Sequence, residues 1–133
     1  MSATVFAGIS LLLFGVWGFM AKIATDAAGW RTVFVFSQLP YILLGTGMLV
    51  LAGPYALKWT SLRWVLLGGL AGAFGVLFFL IAVDRSSASR VIPITAVYPA
   101  VTVLLSWLFL NESLTIKRIG GVVLAIAGVA LLA

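Results

Sequence analysis

The chain has 133 residues, of which 64% are hydrophobic and only 8% charged, against about 25% charged in an ordinary soluble domain. Too little polar surface remains to face water, so the chain needs lipid. Its net charge of +5 does not imply nucleic-acid binding, because the eight Lys and Arg flank apolar runs instead of forming a basic stripe.

A bilayer core about 30 Å thick is crossed by roughly 20 apolar residues of helix. Five segments satisfy or approach this, at about 4–24, 33–51, 64–83, 89–110 and 116–133. The first, Thr4–Ala24, is uncharged except for Lys22 near its end. It opens without basic residues and is of spanning length, so it reads as a retained helix and not as a cleaved signal peptide. The second and third, Val33–Leu51 and Trp64–Val83, carry no charge. The fourth, Ser89–Leu110, has Arg90 at its mouth. The fifth starts near Ile116, with Lys117 and Arg118 reaching back to the headgroups.

The connections Asp26–Arg31, Gly53–Arg63, Asp84–Ser87 and Asn111–Thr115 hold the turn formers and most of the charges. Such short links make consecutive helices antiparallel, so the expected fold is an all-α integral membrane protein, a five-transmembrane-helix bundle in one domain over residues 1–133.

Orientation in a membrane follows an excess of Lys and Arg on the cytoplasmic side. Lys58, Arg63, Lys117 and Arg118 fall on the side of the N-terminus; Lys22, Arg31, Arg85 and Arg90 fall on the other. Four against four leaves no bias. One account is dual topology, in which two oppositely inserted copies pair as an antiparallel homodimer with a site between them. The alternatives are a fixed orientation beside a paralogous partner half, and a parallel dimer.

The fourth segment places Thr95, Tyr98, Thr102 and Ser106 on one helical face. Pro93 frees the carbonyl of Ser89 and Pro99 that of Thr95, and freed carbonyls at membrane depth are accepted where they line a cavity. This face is a candidate solute site, the alternative being that the hydroxyls bond back to their own helix. Gln38, Tyr41 and Gly45 share a face of the second segment, which Pro40 kinks. Trp17 lies on the first segment with Phe14 and Ser10. Lys22 and Arg90 lie about one turn inside their helices on the same side, where they can receive an anionic group or snorkel; Asp84 is a candidate partner for either. Gly68, Gly72 and Gly75 form a small-residue stripe on the third segment, as do Gly121, Ala125 and Gly128 on the fifth. Such stripes let helices approach closely.

From about Ala82 onward the sequence resembles the EamA-type repeat of the drug/metabolite transporter superfamily. The resemblance is carried by Val91-Ile92-Pro93, Tyr98-Pro99-Ala100-Val101-Thr102, Leu110-Asn111-Glu112-Ser113-Leu114, Ile119-Gly120-Gly121 and Ala127-Gly128-Val129. The opening Phe14-Gly15-Val16-Trp17-Gly18, with Lys22, looks like the first helix of that repeat. The resemblance implies a secondary carrier of metabolites or drugs, in which most members join two repeats in inverted orientation and this chain has one. Small multidrug relatives place a glutamate in the middle of the first helix. Phe14, Trp17 and glycines stand there in this chain, which makes proton-coupled export of cationic drugs by that route less favoured.

The expected partners are therefore a small-molecule substrate, the lipid bilayer and a second copy or paralogous half, with no nucleic acid. The expected place is a bacterial inner (plasma) membrane. A non-transporting accessory membrane subunit is the rival reading. With neither Cys nor His and only three carboxylates, the chain lacks the usual means of acid–base or nucleophilic chemistry, so neither an enzyme nor a cofactor or metal is expected.

Overall fold

A computed structural model describes residues 2–52 and 58–131. Among them the fold is all-helical: α1 (Ala3–Phe36), α2 (Gln38–Ala52), α3 (Trp59–Arg85), α4 (Ala88–Thr95), α5 (Tyr98–Leu110) and α6 (Ile116–Ala130). Three stretches are long and apolar enough to cross a bilayer: Ala3–Leu51, Trp59–Arg85 and Ala88–Leu110. Helix α6, at 15 residues, is shorter than the usual crossing length.

The charged stretch Asp26–Arg31, expected as a loop, is helical apart from Gly29, whose φ of 76° and ψ of 152° break the helix within α1. That region of backbone space is open essentially to glycine alone, so one residue does the work a loop was expected to do. Just beyond it, the Arg31 guanidinium lies 5.3 Å from the centre of the Trp30 ring.

A second, gentler interruption falls at Ser37. It puts Pro40 in the first turn of α2, where a missing backbone N–H does no harm. The third helix begins at Trp59 instead of Trp64, which shortens the expected Gly53–Arg63 connection; residues 53–57 lie outside the described residues.

The expected fourth helix is two helices. Pro93 sits inside α4 without breaking it, and Pro99 sits in the first turn of α5. Between them, at Ala96–Val97, the hydrogen bonds tighten: Val97 N–H reaches the carbonyl of Ile94 and Ala100 N–H that of Val97. Helix α5 ends at Asn111 in the left-handed conformation (φ 54°), which Asn tolerates better than most residues. The expected connection Asn111–Thr115 separates α5 from α6, whose first turn is capped by the Thr115 hydroxyl accepting from the Arg118 N–H. The expected end of the fifth helix at Ala133 lies outside the described residues.

The chain forms two compact units, Met1–Arg85 and Ser86–Ala133. In the first, α1 packs on α3. Trp17 stacks on Phe79 with ring centres 4.9 Å apart, and five residues on, Lys22 Nζ donates to the Val83 carbonyl at 3.1 Å. Residue numbers rise together across this seam, so α1 and α3 run parallel. The chain between them must therefore turn back, which identifies Gly29 as a reversal and not a bend.

The seam forms where α1 presents Gly18, Ala21 and Thr25 on one face, all buried, against Leu80 and Val83 of α3. Small residues on one helix let the larger ones of its neighbour close in, as packing inside lipid requires. Leu80 is 1% exposed and Val83 0%. The Thr25 hydroxyl is satisfied by donating to the Lys22 carbonyl at 3.0 Å. Most other large apolar side chains stand outward, a surface suited to lipid or other helices and not to water.

Candidate solute-binding site

Irregular backbone inside an apolar helix is a pointer to a binding site in membrane carriers, because an unwound turn offers backbone groups to a solute. The two units each contain a milder interruption next to a proline, where the turn stays right-handed and tightens.

In the first unit, the interruption at Ser37 is patched by side chains. Gln38 Nε2 donates to the Phe34 carbonyl at 3.0 Å and lies 3.5 Å from Ser37 Oγ; the Ser37 hydroxyl donates to the same carbonyl. Gln38 thus has a local structural occupation, while Tyr41, one turn on, is exposed.

In the second unit, the interruption at Ala96–Val97 falls near the middle of the stretch Ala88–Leu110, between Thr95 and Tyr98. The Thr95 hydroxyl bonds back to the carbonyls of Val91 and Ile92 at 3.1 and 2.9 Å. That of Thr102 bonds back to the Tyr98 carbonyl at 3.4 Å. Both hydroxyls spend their proton within their own helix, and their oxygens keep acceptor capacity. Tyr98, at the start of α5, is exposed.

The candidate cation Lys22 is engaged twice. Nζ lies 2.7 Å from Asp26 Oδ1, one turn on, and donates to the Val83 carbonyl in the last turn of α3. A cation there complements the negative end of the α3 dipole. Its carboxylate partner is Asp26 and not Asp84, because helix continues past Ala24 and carries Asp26 onto the face of Lys22. Trp17 is likewise held in the seam by Phe79. Arg90, in the first turn of α4, is exposed. Gly68, Gly72 and Gly75 face open space: a methyl group added at each would meet nothing within 4 Å.

Thr102 and Ser106 are brought together with Glu112, which the sequence places in a connection, and with Arg118, which it places at the start of the fifth helix reaching to the headgroups. With Glu112, Arg118, Val103 and Leu114 they line a cavity of about 210 Å³. Arg118 Nη1 stands 3.9 Å from Glu112 Oε2 and donates to the Ser113 carbonyl at 3.2 Å. The signal for this pair is present in the sequence, as an acidic residue inside the connection Asn111–Thr115 and a basic one in the first turn of the helix that follows.

The whole chain, residues 1–133, matches the EamA-like transporter family. It is 30% identical over 133 residues to an uncharacterized protein of Methanocaldococcus jannaschii, an alignment covering 99% of this chain and 97% of that protein. No solved structure matches it. With its apolar, interrupted helices and its match from first residue to last, this multi-pass integral membrane protein belongs to the EamA-like transporter family.

Proposed function

We propose that the chain is one five-span repeat of a drug/metabolite-type secondary transporter. It moves a small polar or amphipathic metabolite by alternating access between two such repeats. The observation that carries this reading is the proline-flanked interruption at Ala96–Val97, at mid-depth of an apolar stretch, with Thr95 and Tyr98 beside it. A discontinuous helix of this kind gives a solute hydroxyls and backbone groups where continuous helix offers only hydrocarbon.

The crossings lie near 4–24, 33–51, 64–83, 89–110 and 116–133, and make one domain. Gly29 separates the first two, and the fifth is α6 extended past Ala130. Candidate solute contacts are Tyr98, Thr102 and Ser106 on α5, Thr95 on α4, and Gln38 and Tyr41 at the other interruption, with Trp17, Lys22 and Arg90 as supporting groups. Lys22 acts through its tie to Val83, holding α1 to α3. The partner repeat is a second copy in the opposite orientation, in keeping with the even four-to-four division of Lys and Arg and with a relative that is itself one repeat long. The stripe Gly68, Gly72 and Gly75 supplies a pairing face between copies. The membrane is a bacterial inner membrane.

Two experiments test this. Tyr98→Phe and Thr102→Val are reconstituted and assayed against labelled amino acids, nucleosides and sugar derivatives that the unaltered protein moves. Loss of movement with normal assembly supports the site, and undiminished movement by both variants defeats it. Reporters active on only one side of the membrane are fused separately after Ala133. Activity from both supports the antiparallel homodimer; activity from one alone replaces it with a fixed orientation and a paralogous half.

A further inference from the structure

The polar cavity at the end of α5 adjoins a larger apolar one. Val103 and Arg118 line both. The second, about 370 Å³, runs between α5 and α6 along Val97, Pro99, Ala100, Gly121, Val122 and Ala125. A methyl group added at Gly121 would meet nothing within 4 Å, so the groove is open there. Neither Thr102 nor Ser106, which line the first cavity, lines this second one, so the groove itself lies apart from the hydroxyls assigned to the solute while its mouth adjoins them.

The composite cleft is amphipathic along its length. Its mouth lies at the connection Asn111–Thr115, where two apolar helices end and where headgroups lie. Its depth has no charged side chain beyond Arg118. At the mouth stand one cation and one anion, held apart: the Arg118–Glu112 separation of 3.9 Å compares with 2.7 Å for Lys22–Asp26. A charge-assisted hydrogen bond is about 2.7–2.9 Å, so this pair is not closed on itself. The guanidinium has five N–H donors and the carboxylate two acceptor oxygens, and both side chains are more than half exposed.

We propose that this cleft binds an ethanolamine glycerophospholipid of the surrounding bilayer. The phosphate lies against Arg118, the ammonium donates to Glu112, and one acyl chain occupies the groove between Pro99 and Ala125. Charge complementarity selects this occupant. A purely anionic headgroup leaves Glu112 facing like charge, and a choline headgroup has no N–H to donate. A lipid of the surrounding bilayer meets the cleft at high local concentration, so modest affinity fills the site. Its chain closes a gap between α5 and α6 that side chains leave open.

The test is native mass spectrometry of the detergent-purified full chain offered equal amounts of phospholipids with ethanolamine, glycerol and choline headgroups and matched acyl chains. The expected result is retention of the ethanolamine lipid about tenfold over either other, as about 1.4 kcal/mol of added headgroup interaction would give. Glu112→Gln, which keeps the size of the side chain and removes its charge, removes the preference over the glycerol lipid. Arg118→Ala lowers retention of all three, and Ala125→Leu, which fills the groove without touching the charges, does the same. Equal retention of the three lipids by the native protein overturns the proposal, as does unchanged retention in both Arg118→Ala and Ala125→Leu. Displacement of the lipid by an equal concentration of soluble phosphoethanolamine also overturns it, because the groove would then contribute nothing. Solute movement by Tyr98→Phe reports on the transport reading separately.

Discussion

The stretches Met1–Arg85 and Ser86–Ala133 are built from the same kind of sequence and solve the problem of packing differently. In the first, two parallel helices close on each other through Gly18, Ala21 and Thr25, and Leu80 and Val83 vanish from the surface. In the second, α5 and α6 leave a groove between them, and among its described residues only Val91 is buried. Apolarity therefore does not decide where helices meet. In lipid there is no gain from moving hydrocarbon out of water, and close fit decides instead. The fit in the first unit comes from a flat face opposite bulky side chains, fastened at one end by a stacked aromatic pair and a lysine.

That contrast makes matched substitutions informative. Leu80→Ala should cost about 2 kcal/mol, the low end of the range for a buried leucine, since lost packing remains while the water-transfer part drops out. Leu105→Ala, on the half-exposed surface of α5, should cost under about 0.5 kcal/mol. Reversible unfolding in mixed micelles measures both, and equal losses would erase the distinction between the units. Lys22→Met, which keeps the stem and removes the ammonium, should lower stability by about 1 kcal/mol. That is less than the value for a buried charged hydrogen bond, because Lys22 is 26% exposed and partly screened. Hydrogen exchange should then quicken at the last turn of α3 more than at its middle. Thr115→Ala removes the α6 cap and should cost about 0.5–1 kcal/mol. Exchange should increase in the first turn of α6 and leave the α1–α3 seam unchanged.

Hydropathy and the position of charges made the apolar stretches legible, and the polar run Asn111–Thr115 marked its connection correctly. The stretch 26–31 reads as a loop because five of its six residues are polar or small, whereas one glycine with positive φ suffices to turn the chain. That error propagated. With Asp26 assigned to a loop, its spacing of four from Lys22 carried no meaning, and Asp84 was offered as partner in its place. The faces that pack were not legible for a different reason. A helix that is apolar all round has no amphipathic side to reveal its neighbour, so the glycine stripe at 68, 72 and 75 drew notice while the face at 18, 21 and 25, which packs, did not. The hydroxyl face of α5 was legible from spacing. The company it keeps with Glu112 and Arg118 depends on how the chain folds back, which spacing does not encode.

The backbone at Gly29 has a chiral consequence. Its positive φ is of the sign that mirror-image amino acids prefer and L-residues avoid. A D-alanine placed there by chemical synthesis would keep the reversal, whereas the L-enantiomer, identical in size and polarity, would favour straight helix. The 49 residues of Ala3–Leu51 would then extend to about 70 Å, more than twice the thickness of a bilayer's hydrocarbon. Handedness at a single atom separates a hairpin that fits inside a membrane from a rod that does not.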